Sequence, residues 1–495
     1  MSESQSSYRQ IFKATSLFGG VQLISILIGI IRVKIVAVLL GTTGVGIIGL
    51  LNSPIQVIAT ITGFGIAFSA VRDISKAHSQ SDQTGISKII TILRRWSWFA
   101  GFLGAFVTIS FAPLLSKWTF GNNEYTWAFV WLSVTLILQA ITKSQSAILQ
   151  GTRRLKDMAK AGVIGSALGL FTSVPLYFWF GIKGIVPAMI VTVVTSLILS
   201  WYYSKRILVE KIDLTIKETF KSGLGMVKLG IFMTLAGFIA SLSAYVLNAF
   251  ISNRGGVDQV GLYNAGWSIV GQYTGIIFTA MATDYFPRLS AIQINDDKVN
   301  ELVIQQGLTA LLIMTPLLSL LIITMPLVIR ILYTPAFLPI VMFANLTVLG
   351  MQFKAISWAM GYVFLAKGDG KLFLTMEVIS GIVILALNLL FYYFFGLNGL
   401  GISFVLTYLF GMLFAYFVLK SKYHFKLPID FFSKLIINYG LVVLSFLTVF
   451  ISISIYRYLA GFIILLLASL YSLRKLNDLM DLRSYFTNML KKLKS

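Results

Sequence analysis

The sequence predicts an all-α polytopic membrane protein with about 14 transmembrane helices, arranged as two pseudo-symmetric six-helix lobes plus a C-terminal helix pair. Three observations predict it. Hydrophobic residues make up 57% of the 495 positions against 12% charged, and the apolar runs are long and do not alternate. Lysine and arginine gather in every second connection. Glycine turns recur at one sequence offset. Only helices and closed barrels satisfy their backbone in lipid, and unalternating runs select helices.

The first two elements rest on "LLGTTGVGIIGLL", Leu39 to Leu51. Gly44, Gly46 and Gly49 have GxGxxG spacing, which marks a dinucleotide loop only where a short strand precedes it and a soluble helix follows. Here Ser16 to Leu40 and Val45 to Ala70 are almost unbroken apolar runs, each longer than the roughly 20 helical residues that cross a bilayer core. The glycines are therefore expected to form a tight turn between two spans. A P-loop is excluded because Ile47 stands where lysine should follow Gly46.

The remaining runs, read against charged and Gly/Pro breaks, give spans near 14–39, 44–70, 96–116, 125–149, 160–180, 184–204, 227–250, 260–286, 305–328, 338–365, 372–395, 398–419, 434–452 and 458–473. With the N-terminus inside, inner segments hold 31 of the 40 Lys and Arg residues and outer loops hold five, Lys117, Lys183, Arg254, Arg330 and Arg457. That partition is the positive-inside rule, so both termini are expected to be cytoplasmic. The net charge of +22 then matches anionic inner-leaflet lipid and requires no nucleic acid. Leu479, Leu482, Phe486, Met489, Leu490 and Leu493 recur at helical spacing among basic residues, the pattern of an amphipathic helix on the inner membrane surface. The first apolar run is too long for a cleavable signal and lacks a small-residue cleavage site, so it is expected to stay.

"GTTGVGIIG" at Gly41 resembles "GVDQVGLYN" at Gly256, and "FGIKGIVPAMIVT" at Phe180 matches "FGLNGLGISFVLT" at Phe395, both 215 positions apart. Lys117 and Arg330 keep nearly that distance. A shared register across three turns points to a parallel repeat whose axis runs along the membrane normal. The expected organisation is 1–215 for spans 1 to 6, 216–422 for spans 7 to 12, and 423–495 for spans 13, 14 and the tail.

With "VAVLLGTTGVGIIGL", "ILYTPAF" at Ile331, the "FGIKGI" and "FGLNGL" turns and the six-plus-six layout, the chain resembles the polysaccharide transporter branch of the multidrug/oligosaccharidyl-lipid/polysaccharide flippase superfamily, in particular bacterial O-antigen flippases of the Wzx type. The resemblance implies a multi-pass protein of the bacterial inner membrane whose two lobes surround a central cavity. It would alternate access to move an undecaprenyl-diphosphate-linked oligosaccharide to the periplasmic leaflet. It also implies contact with membrane lipids, with a polysaccharide polymerase and a chain-length regulator as partners. A drug or metabolite exporter of the same superfamily is the alternative.

Charged residues inside spans are the sharpest site signal, because each costs about 2.5–3.5 kcal/mol at a helix centre on insertion scales. Arg32 lies nine residues from the outer turn, roughly 13 Å deep at 1.5 Å per residue, and is the leading cavity candidate. Lys34 is about 200° around the helix from it, with snorkelling as the alternative. Lys143 in span 4 and Lys354 in span 10 fall one helical turn apart when the repeat is superposed, and two such bases suit a diphosphate. Among the acids, Asp284 is expected to pair with Arg288 at i+4, and Glu377 is the stronger candidate for ion or proton coupling. Asn52, Gln56, Gln139, Gln272 and Gln352 offer donors and acceptors to sugar hydroxyls, as does Tyr273, though interhelical bonding explains such residues equally well.

No cofactor or metal is expected, since the chain has no cysteine and only His78 and His424. A membrane enzyme of the same pathway would need long outer loops carrying catalytic acids or histidines, and none of the outer connections exceeds about ten residues. A major facilitator would need a G-x-x-x-D-[RK] signature between spans 2 and 3, which "VRDISKAHSQSDQTGISK" does not supply. A scaffold without transport would leave the buried bases unexplained.

Overall fold

The computed structural model describes residues 3–210 and 212–480. The first helix, α1 (Glu3–Thr62), holds two spans joined by a turn at Gly41, where φ is +65°. It is followed by α2 (Ile66–Ser79), α3 (Gln83–Phe120), α4 (Thr126–Gly151), α5 (Leu155–Phe180), α6 (Ile185–Ser204) and α7 (Ile216–Gly255). Then come α8 (Val257–Ala291), α9 (Asp296–Leu332), α10 (Val341–Ala366), α11 (Gly370–Tyr423), α12 (Ile429–Leu447) and α13 (Ser454–Met480). Like α1, α11 holds two spans, reversing at Gly396 with φ +59°.

Polar caps set several boundaries on the basic side. Asp82 accepts from the Gly85 amide before α3, and Thr215 and Glu218 form a reciprocal capping box that starts α7. Ten described stretches are long and apolar enough to cross a membrane; Leu155–Ser204 and Gly370–Tyr423 each contain two expected spans, and Leu27–Thr62 covers the end of the first span and most of the second. With α8, which carries more polar residues, the expected set of 14 is present among the described residues.

Small residues decide how these helices pack, since lipid provides no hydrophobic drive between apolar surfaces. One face of α3 buries Ser97, Ala100, Gly101, Gly104, Ala105 and Thr108 at three- and four-residue spacing, while Trp98, Phe102 and Phe106 stay exposed. A methyl on Gly101 would stand 2.8 Å from the Ile137 Cα, so the glycine brings α4 backbone to α3.

The repeat is visible in backbone geometry. Gly41 and Gly256 have φ of +65° and +84°, while Gly181 and Gly396, the second pair at the same offset, have +53° and +59°. In the second pair of hairpins, a methyl on Gly184 would stand 2.1 Å from the Leu176 carbonyl oxygen, and one on Gly399 would stand 2.0 Å from that of Phe391. Both the glycines and their neighbours correspond residue for residue. A turn stands where the apolar flanks predict one, but Gly41 makes it, while Gly44, Gly46 and Gly49, expected to form it, lie in the helix that follows, where Gly46 serves close packing instead.

The structure departs from the expected spans at one instructive point. The second span, expected to run unbroken over 44–70, stops at Thr62 and restarts at Ile66, with Phe64 at φ +51° and Gly65 at +63°. The sequence "GFG" supplies two residues able to leave the helix, and apolarity alone does not reveal it. The expected surface helix beyond Leu479 falls outside the described residues.

By packing, the chain forms two compact units, residues 1–262 with 331–336 and residues 263–330 with 337–495. The core of the first is built on Ile47, Leu51, Phe129 and Leu132, with a second cluster on Ile74, Ile90, Leu93 and Trp96. Tyr285, Ile356, Met360, Phe364 and Phe431 anchor the second. Helix α7, assigned by the repeat to the second half, packs inside the first unit: the Trp96 indole N–H donates to the Thr219 carbonyl at 3.2 Å. Repeat boundary and packing boundary are different lines through the chain.

Candidate cargo-binding residues

In the first unit, Gln139 and Lys143 sit one turn apart on α4 and face the broken second span. They line a pocket of about 220 Å³ together with Thr60, Gly63, Gly65 and Thr234. Its depth depends on glycine: a methyl on Gly65 would lie 2.7 Å from the Gly230 carbonyl oxygen, and one on Gly230 would lie 2.7 Å from that of Gly65. Lys143 forms no ion pair with the described residues and also borders a neighbouring pocket with Phe68, Arg72 and Gln150. A single ammonium thus separates two openings of the same unit.

In the second unit, Lys354 projects from α10 into a ring of aromatic side chains. Its Nζ is 5.2 Å from the Tyr408 ring centroid, 5.7 Å from Phe278, 5.8 Å from Trp267 and 5.9 Å from Phe404. No carboxylate pairs with it among the described residues. Cation–π contacts contribute about 0.5–2 kcal/mol each, depending on desolvation. Several together are comparable with the roughly 2.5–3.5 kcal/mol cost of placing a lysine in a membrane helix. The cage stabilises the cation without cancelling its charge, which leaves it available to an anion. Sequence analysis found the lysine but not its cage, because the four rings come from two stretches of α8 and one of α11 that only the fold brings together.

Superposed through the repeat, Lys354 corresponds to Gln139, so the two units hold a base and an amide at equivalent places on α10 and α4. The other sequence candidates separate into exposed and committed groups. Arg32 is half-buried on the first arm of α1 and makes no hydrogen bond or ion pair with the described residues. Lys34 instead donates to the Tyr333 carbonyl, so it ties α1 to the segment after α9. Asn52, Gln56 and Gln272 are exposed, with the Gln56 amide 3.5 Å from the Thr60 hydroxyl. Asp284 pairs with Arg288 at 3.1 Å as the i+4 spacing expects, and Glu377 is half-buried on α11.

Gln352 departs from the sugar-contact expectation. It is 0% exposed, and its amide donates to the Thr315 hydroxyl at 3.0 Å and to the Asn438 carbonyl at 3.2 Å. Thr315 in turn donates to the Asn438 side-chain oxygen at 2.7 Å. In a dry helix interface an amide finds another helix before it finds cargo, and this network ties α9, α10 and α12.

A family model described as polysaccharide biosynthesis protein matches residues 17–342. No curated protein matches the sequence. Among solved structures, the chain is similar to lipid II flippase MurJ in an inward closed conformation, with TM-score 0.69 and 14% identity over 94% of this chain and 99% of that one. It is also similar to an inward-facing multidrug resistance MATE family transporter of the MOP superfamily, with TM-score 0.65 and 16% identity over 80% and 95%. A third is a MOP superfamily transporter from Pyrococcus furiosus, with TM-score 0.58 and 15% identity over 83% and 96%. At these identities the likeness is one of fold.

Proposed function

Because the chain belongs to the polysaccharide biosynthesis protein family and has the fold of MOP superfamily transporters, we propose that it is a flippase for an undecaprenyl-diphosphate-linked oligosaccharide, a repeat unit of O-antigen or another surface polysaccharide. It moves this lipid from the cytoplasmic to the periplasmic leaflet of a bacterial inner membrane by alternating access, with both termini cytoplasmic. The moving parts are the repeat halves 1–215 and 216–422, with 423–495 appended. The protein is a transporter and not an enzyme.

The observation that carries the reading is Lys354, a base with no carboxylate partner among the described residues, held by four rings at a membrane helix. A diphosphate supplies the missing negative charge, and neighbouring aromatic faces suit sugar rings. Arg32, Lys34 and Lys143 add cationic stations along the path, while Asn52, Gln56, Gln139 and Gln272 are assigned to hydroxyls and Gln352 to the helix contacts that frame them. Glu377, with Asp284 as the weaker choice, is the coupling acid.

Complementation of flippase-deficient strains that carry different repeat units tests the assignment. Restored surface polysaccharide in one or more of them supports it. Restoration in none, together with drug efflux by the same protein, would replace the cargo by a small molecule.

A further inference from the structure

We propose that a pocket between α3, α4 and α6 on the basic side of the first unit binds the phosphate of an anionic membrane lipid, at a site separate from the cargo residues. It encloses about 590 Å³, and Arg94, Ser144, Gln145 and Lys205 supply its polar wall together with Ser97, whose hydroxyl donates to the Leu93 carbonyl and which also borders the Lys143 pocket. Trp98 and Trp201 supply much of the rest.

The polar wall is biased toward donors. Ser144 is 2% exposed, and its hydroxyl has no hydrogen-bond partner. Gln145 is 6% exposed; its Oε1 accepts from the Ser200 hydroxyl, which leaves the amide N–H groups uncommitted. Lys205 holds its Nζ 4.6 Å from the Trp201 ring centroid, a contact that orients the ammonium and keeps its charge. Arg94 is exposed and forms no ion pair with the described residues. No carboxylate is among the described residues that line the pocket. Two cations, a buried hydroxyl and an amide suit a ligand whose oxygens only accept, and a phosphate is such a ligand.

Position distinguishes lipid phosphate from dissolved phosphate. Helix α6 has 20 residues, enough for one crossing of the hydrocarbon core, so Lys205 directly after it stands at headgroup level. Trp98 and Trp201 are half exposed beside Phe102 and Ile198, which are exposed as well, so the pocket opens along an apolar helix surface. Tryptophan at the rim and bases inside form the arrangement that interfacial lipid meets.

The test is lipid retention, which uses no transport measurement and is therefore independent of the cargo assignment. Full-length protein is titrated with phosphatidylglycerol in neutral detergent, and bound lipid is counted by native mass spectrometry. R94Q/K205Q is expected to need at least tenfold more lipid for the same occupancy, whereas R94K/K205R and the distant control Lys76→Gln match the unaltered protein. Equal retention by R94Q/K205Q overturns the proposal, as does equal loss in the charge-conserving R94K/K205R. Inorganic phosphate at matched concentration is expected to leave the lipid in place; its displacement of the lipid would assign the site to a soluble anion and overturn the lipid source.

Discussion

Gly46 and Gly261 each close on the turn that precedes the other. A methyl on Gly46 would stand 2.1 Å from the Val257 carbonyl oxygen, and one on Gly261 would stand 2.0 Å from that of Thr42. The pairs Gly46 with Gly261 and Thr42 with Val257 have the same 215-residue separation as Thr43 and Asp258, whose side chains hydrogen-bond at 2.7 Å. Contacts exchanged in this way, i with j and j with i, are those of a local twofold axis. The axis passes between the two glycine turns.

Alanine at either glycine should therefore be equally harmful. Gly46→Ala and Gly261→Ala each force backbone apart and are expected to cost about 1–3 kcal/mol, the usual range for overpacking. Gly440→Ala, where nothing stands within 4 Å of the new methyl, should be neutral or slightly stabilising. Thermal unfolding in detergent separates the cases, and an unchanged midpoint for Gly261→Ala would contradict the reciprocal contact.

Removal of the caged charge should affect export more than folding. Lys354→Gln is expected to lower surface polysaccharide at least tenfold at matched protein level, with a thermal midpoint close to that of the unaltered protein. The cage can hold an arginine cation, so Lys354→Arg should retain part of the activity. Full export by Lys354→Gln and by its double variant with Arg32→Gln would remove both bases from the cargo path.

The buried amide network predicts the opposite division. Gln352→Ala leaves the Thr315 hydroxyl and the Asn438 main-chain carbonyl without the donor they share, in an interface that water does not reach, a loss of about 1–3 kcal/mol. Stability should fall while export per folded molecule stays unchanged. A selective defect in export would return Gln352 to the cargo surface.

The connection from α10 to α11 should respond to acid. Asp369 caps α11, and its carboxylate accepts from the Lys422 ammonium, which holds its pKa below the ordinary aspartate range. A lowered carboxyl pKa stabilises the pinned form above the unfolded-state value and loses that contribution as pH falls through the folded-state value. Hydrogen exchange at 367–372, corrected for intrinsic rates, should rise only below the usual aspartate pKa. Lys422→Gln should move that rise to higher pH.

Much of the fold was legible because lipid enforces long apolar runs, and the repeat was legible because turns that need positive φ keep their glycines at fixed spacing. Gly41, Gly181, Gly256 and Gly396 all adopt it. The break at Gly63–Gly65 was not legible, since two glycines within an apolar run also suit an unbroken helix that packs closely. Lys354 stood out by its charge, whereas Trp267, Phe278, Phe404 and Tyr408 are ordinary aromatics until the fold gathers them. Gln352 shows the converse limit, because an amide reads the same whether it will face cargo or another helix.

The break in the second span also has a mechanical meaning. Across 61–68 the main-chain bonds join Phe64 to Ile61, Ile66 to Gly63 and Phe68 to Gly65 at 3.1–3.3 Å, three-residue links in place of the regular four-residue ladder. A continuous helix resists bending along its whole length through that ladder; here the resistance falls to the torsions of a few residues around Gly65. A torque on α2, which carries Arg72 and Lys76, would be taken up at this joint before it reached the second arm of α1. The second span is built as two rods joined at Gly65, and the pocket that Lys143 lines lies beside that joint.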